Sequence, residues 1–142
     1  MEVVLDASTA LAWMMPDEGL EEPATRLVRA SQRWEVRLCA PSLFPYEVAN
    51  GLRRAARVGR VSPSTAWHTL QDILSLEIAF FSHEEAISRG WWLTRSHGIS
   101  LYDASYLGLA EQLGCQCLTA DQRLANAAAD TGLVRWIGDY GR

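Results

Sequence analysis

Five short apolar runs, spaced by segments long enough for helices, constrain this chain more than any other feature. Val3-Val4-Leu5 is the first. A β-branched run this short, apolar on both faces, suits a strand covered on both sides. Similar runs fall at 36–40, 77–81, 115–119 and 133–137. Between them the sequence predicts helices. One follows over 7–15 and stops before Pro16, and one spans 23–32 with a proline in its first turn. A third passes through Glu47 to about residue 58 and ends at Gly59; Ser62-Pro63 opens a fourth that runs to about residue 74. Ser82-His83-Glu84-Glu85 fits a capping box, and that helix closes at His97-Gly98. Asp103 opens the next, which ends at Gly114, and the last spans 121–130. Strands alternating with helices in this way predict an α/β fold with a mainly parallel central sheet and helices on both faces. Such open sheets bind ligands beyond the carboxyl ends of their strands.

Composition narrows the chemistry. The chain has 142 residues, and an apolar fraction of 49% supports one ordinary core over the whole length, 1–142. All thirteen basic residues are arginine. Without lysine there is no P-loop and no Schiff-base chemistry. Cys39, Cys115 and Cys117 are odd in number and read as small hydrophobes rather than a disulfide framework. His68, His83 and His97 lack zinc-ligand spacing. No apolar stretch approaches the roughly 18–20 residues a membrane span needs. The opening Met1-Glu2-Val3 lacks the basic start of a signal peptide, so the expected compartment is the cytoplasm.

Four acids are placed where the sheet rule makes them interesting. Asp6 ends the first strand and Asp121 lies two residues past the strand ending at Thr119. Glu47 and Asp103 lie near helix starts. Taken singly, Asp103 and Asp121 read as helix caps and Glu47 as an exposed helix residue. Asp6 is different, because a charge after a buried strand is costly unless compensated. Were the four to meet, two carboxylates ~4 Å apart would repel by about 4 kcal/mol at an effective dielectric near 20. Oxygen ligands without histidine or cysteine favour Mg²⁺ or Mn²⁺.

Val3-Val4-Leu5-Asp6-Ala7-Ser8-Thr9-Ala10-Leu11 resembles the opening motif of PIN-domain ribonucleases. Pro45-Tyr46-Glu47-Val48-Ala49-Asn50-Gly51-Leu52-Arg53 resembles their second, and Leu101-Tyr102-Asp103-Ala104-Ser105-Tyr106-Leu107 their third. Leu118-Thr119-Ala120-Asp121-Gln122-Arg123-Leu124 resembles the fourth. The length is that of the VapC-like toxins of bacterial toxin–antitoxin pairs. The resemblance implies a PIN-like three-layer sandwich, metal-dependent cutting of RNA, a homodimer and a small antitoxin protein as partner. It implies that Asp6 and Asp103 ligate one Mg²⁺ or Mn²⁺, that Asp121 completes the site and that Glu47 holds a water or a second ion. Ser8, Thr9 and Thr119 would supply supporting hydroxyls, and Asn50, one turn after Glu47, would orient it or a water. Local capping and packing explain these four equally well. A housekeeping RNA-processing nuclease and a non-catalytic RNA- or protein-binding module are the alternatives.

The net charge of −4 is unevenly spread. Residues 1–22 hold six acids, Asp17 and Glu18 among them, and no base; residues 48–71 hold Arg53, Arg54, Arg57 and Arg60 and no acid. Arg53, Arg57 and Arg60 share a helical face and are expected to guide RNA phosphates, with a solvated face or an acidic partner as the other readings. Most of the six tryptophans are expected in the core, leaving a few for a dimer surface or an antitoxin groove.

Overall fold

The computed structural model describes residues 1–15 and 19–142. The expected helix stop at Pro16 and the acids Asp17 and Glu18 lie outside the described residues. Five strands, β1 (Glu2–Leu5), β2 (Arg37–Pro41), β3 (Ile78–Phe81), β4 (Cys117–Thr119) and β5 (Val134–Trp136), form one sheet in the order β3-β2-β1-β4-β5. Every pairing is parallel, with Val4 opposite both Cys39 and Cys117. Val4, Cys39 and Cys117 are fully buried, as expected of strands covered on both faces.

The helices are α1 (Ala7–Met14), α2 (Glu21–Gln32), α3 (Phe44–Arg57), α4 (Pro63–Leu74), α5 (His83–His97), α6 (Leu101–Leu113) and α7 (Gln122–Ala127). The chain moves outward from β1 to β3, then crosses back over β1 to reach β4. Right-handed crossovers therefore place α1–α4 on one face and α5–α7 on the other. Packing follows this division: α1 meets α2 and α3, α3 meets α4, and α5 lies along α6. The reversal between β1 and β4 is the topological switch point, where the carboxyl ends of the strands leave a crevice.

Helix α6 carries a long buried run. Ala104 through Ala110 are buried without a break, so this helix has no solvent face over two turns. Two glycines let α5 reach it. A methyl group at Gly108 would stand 2.4 Å from the Ala86 carbonyl oxygen, and one at Gly90 would stand 2.6 Å from that of Ala104. The two backbones are in direct contact.

Several local expectations shift. Ser82 adopts cap backbone geometry, but its hydroxyl accepts nothing there. Asp103 does not open α6. Ser100 does, accepting the Asp103 amide at 3.1 Å, which puts Asp103 in the first turn. Cys115 precedes β4 and is half-buried; all three cysteines are free, and burial raises the Cys39 thiol to about 11. Trp34, Trp67, Trp91 and Trp92 are exposed, against the expectation of a mostly core role. For Trp91 and Trp92 the cause is the seam: α5 buries only Ala86 and Gly90, so its bulky residues point away. Among the described residues, no helix is long and apolar enough to cross a membrane.

Candidate active site

Asp6 is the residue after β1 and is 5% exposed. It serves as the N-cap position of α1 in backbone terms, yet its side chain caps nothing. Its carboxylate instead faces β4. Asp6 Oδ2 accepts a hydrogen bond from the Thr119 hydroxyl at 2.7 Å and a short one from the Ser8 hydroxyl. Each hydroxyl oxygen in turn accepts a backbone amide, Ala120 N–H on Ser8 Oγ at 2.9 Å and Asp121 N–H on Thr119 Oγ1 at 3.0 Å. With both protons committed to Asp6, the hydroxyls have fixed orientations. Thr9 donates to the Leu118 carbonyl at 2.9 Å, so it ties α1 to β4 rather than entering the site.

Glu47 projects from the first turn of α3 and Asp103 from the first turn of α6. Burial pushes the Asp6 carboxyl above the ordinary range, and the hydroxyls and the neighbouring charge of Asp103 modify that rise. Glu47 is raised first by burial and then by the charges of Asp6 and Asp103. Asp103 is raised first by burial, and Arg123 offsets part of this. These three acids therefore feel one another across a shared pocket. Among the described residues, neither the buried Glu47 Oε1 nor the Tyr106 hydroxyl has a hydrogen-bond partner of good geometry. The tyrosine lies close enough to ease the charge on Glu47 without a bond of good geometry.

Asp121 plays a double part. Its Oδ1 caps α7, accepting the Arg123 and Leu124 amides at 2.9 and 3.2 Å, so the capping alternative is real for this residue. Its Oδ2 meets the Arg123 guanidinium at 3.2 Å, and the same guanidinium reaches Asp103 Oδ2 at 3.4 Å. A mostly exposed arginine thus bridges two of the four acids. Among the described residues, no three acidic, histidine or cysteine side chains are gathered tightly enough to enclose a metal ion.

The donor chemistry nevertheless fits a hard divalent cation. The site offers only oxygens, one of them buried and unsatisfied, among acids that burial and mutual repulsion hold above their ordinary range. Arg123 already supplies positive charge at one side of this pocket.

Of the remaining expected residues, Asn50 is exposed on the turn after Glu47. Arg53 and Arg57 are exposed on α3, and Arg60 follows its end. A groove of about 310 Å³ runs from Ser8 between α1 and α3, with Leu11 and Gly51 on its floor and Arg54, Arg57 and Arg60 along it. The sequence reading missed Arg54, Tyr106 and Arg123. Tyr106 stands three residues after Asp103, on the same helix face, which is a legible signal. Arg54 is seven residues after Glu47 and shares its face in the same way.

Comparison with known proteins shows the family and the fold. The PIN domain model matches residues 3–130. Ribonuclease VapC3 of Pyrobaculum aerophilum is 35% identical over 127 residues, covering 88% of this chain and 93% of the relative. Ribonuclease VapC9 of Mycobacterium tuberculosis is 36% identical over 130 residues, covering 92% and 91%. Among solved structures, PAE2754 from Pyrobaculum aerophilum superposes with a TM-score of 0.68 at 24% identity, over 97% of this chain and 85% of that one. VapBC2 from Rickettsia felis, bound to a DNA fragment from its promoter, also gives 0.68, at 10% identity and over 96% and 98%. The carboxyl-edge acids, the five-stranded parallel sheet and these matches make the chain a member of the PIN domain family.

Proposed function

We propose that this protein is an endoribonuclease that hydrolyses RNA phosphodiester bonds with a bound Mg²⁺ or Mn²⁺, and that it is the toxin of a toxin–antitoxin pair. The observation that carries the reading is the buried Asp6 carboxylate, oriented by two hydroxyls at the switch point and facing Glu47 and Asp103. The names of the VapC ribonuclease relatives support the RNA substrate, and the likeness to a toxin–antitoxin complex from Klebsiella pneumoniae supports the antitoxin partner. A homodimer and a cytoplasmic location belong to the same reading.

In this mechanism Asp6 and Asp103 would be the principal ligands, with Asp121 and Glu47 completing the set. A divalent ion held there would supply Lewis-acid chemistry, lowering the pKa of water and neutralising charge that develops on the phosphoryl oxygens. Ser8 and Thr119 keep one Asp6 oxygen in place, which leaves the carboxylate a fixed direction. The unsatisfied buried oxygen of Glu47 supports a role in accepting a hydrogen bond from the attacking water. Arg123, which pairs with Asp103 and Asp121, would compete with a divalent ion for those acids, and its guanidinium suits a phosphate oxygen. The chain has no lysine base, and this scheme asks for none. Arg54, Arg57 and Arg60, with Arg53 on the outer face, draw the RNA backbone towards Ser8.

The test is cleavage of single-stranded and structured RNA in Mg²⁺, Mn²⁺ or EDTA, with Asp6→Asn and Asp103→Asn alongside. Cutting should require the divalent ion and fall severely in both variants while circular dichroism stays unchanged. Equal cutting in EDTA, or by Asp6→Asn, overturns the proposal.

A further inference from the structure

Each of two site acids is preceded by an exposed tyrosine. Tyr46, just before Glu47, is 80% exposed, and Tyr102, just before Asp103, is 66% exposed. Both lie in the first turn of a helix that starts at the carboxyl edge of the sheet. Neither belongs to the core, and neither is required by the acid pocket described above.

Tyr46 also heads a row. Positions 46, 50, 53 and 57 recur at helical spacing, so Tyr46, Asn50, Arg53 and Arg57 form one outward stripe of α3, and all four are exposed. The stripe carries an aromatic ring at the site end, an amide one turn on and two cations beyond, with no acid in line. The next row of α3, Glu47, Gly51 and Arg54, turns towards α1, where a methyl group at Gly51 would strike the Leu11 side chain, and the two rows meet at Arg57, which also lines that groove. An aromatic platform continued by guanidinium groups is the surface chemistry of single-stranded nucleic-acid binding. Rings accept bases by stacking and cations follow the phosphates. A duplex keeps its bases stacked inside and offers nothing to such rings.

We infer that Tyr46 and Tyr102 stack unpaired bases on either side of the scissile phosphate and so set the nucleotide that lies over the acids. This rests on the ribonuclease reading and adds to it two residues that position the substrate. Charge favours this occupant over an apolar protein segment, because the stripe that begins at Tyr46 ends in Arg53 and Arg57.

The experiment is binding of a short fluorescent single-stranded RNA to the full chain in EDTA, where no cutting interferes, followed by cleavage in Mg²⁺. Tyr46→Ala and Tyr102→Ala should each weaken binding by about five-fold or more, while Tyr46→Phe and Tyr102→Phe keep it, since the ring and not the hydroxyl stacks. Oligomers with a single abasic nucleotide scanned along the strand should show one position where wild type loses the same factor and Tyr46→Ala loses nothing further. Duplex RNA should bind all variants alike. Unchanged single-strand affinity in both alanine variants overturns the inference. So does a shift from dimer to monomer in light scattering with RNA affinity intact, which would assign the tyrosines to a second copy of the chain. Failure of wild type to cut any RNA in Mg²⁺ or Mn²⁺ instead removes the ribonuclease reading itself.

Discussion

The acid pocket and the α5–α6 seam are built on opposite principles. The pocket buries Asp6 beside Glu47 and Asp103 and leaves Glu47 Oε1 unsatisfied. The seam removes side chains at Gly90 and Gly108 until two backbones touch. The first region opposes folding, since desolvated like charges raise the free energy of the native state. The second region promotes it through close contact without loss of side-chain entropy. The two principles meet on α6, where Asp103 belongs to the pocket and Ala104 to the seam, but they rest on different contacts, and substitutions should separate them.

The largest effect should come from the pocket. Asp6→Asn should cut RNA hydrolysis on the order of a hundred- to a thousandfold. It should do so without loss of fold, and its stability should depend on pH with a definite sign. Burial and neighbouring acids raise the native Asp6 carboxyl, so the wild type's contribution from this group is complete below the unfolded value of about 3.9 and is lost as pH climbs through the raised one. The neutral asparagine has no such loss. Urea titrations in EDTA should therefore show Asp6→Asn gaining on wild type from acid to neutral pH, and Mg²⁺ should close the gap by stabilising wild type only.

The seam should behave in reverse. Gly108→Ala should destabilise by about 2–3 kcal/mol in urea, because its methyl group meets the backbone oxygen of Ala86. Its cleavage rate per folded molecule should match wild type. A loss of rate at full stability would mean that the seam reaches the site.

Thr119→Val lies between the regions, for Thr119 is fully buried yet touches the Asp6 carboxylate. Removal of a hydroxyl that orients a ligand should reduce metal affinity about ten- to a hundredfold, measured by calorimetry. The smallest effect should follow Arg123→Ala. Loss of the guanidinium from Asp103 and Asp121 removes a competing cation, and Mg²⁺ should bind about two- to fivefold more tightly, since exposed ion pairs contribute roughly 0.2–1 kcal/mol.

The same contrast explains what the amino-acid order disclosed. Strand runs and their order are written in apolar patterning, so the parallel sheet was legible, and with it the position of Asp6 at a carboxyl end. Ser100-x-x-Asp103 is itself a capping pattern, so the true start of α6 was present in the text, three residues before the expected one. The tryptophans of α5 were misread because their direction depends on the glycine contact with α6, a tertiary relation that no local pattern contains. Arg123 and Arg54 escaped for a related reason: which side of a helix faces the acids is decided by packing and not by composition.

Asp6 and Thr119 are joined across a sequence separation of 113 residues. On a ribosome that adds residues from the amino end, the first strand emerges long before the segment that orients its aspartate. A nascent or prematurely terminated chain can hold three of the motif acids and still lack the threonine that aims the first of them. On the proposed reading the site would be completed only late in synthesis, once Thr119 can hold the Asp6 carboxylate.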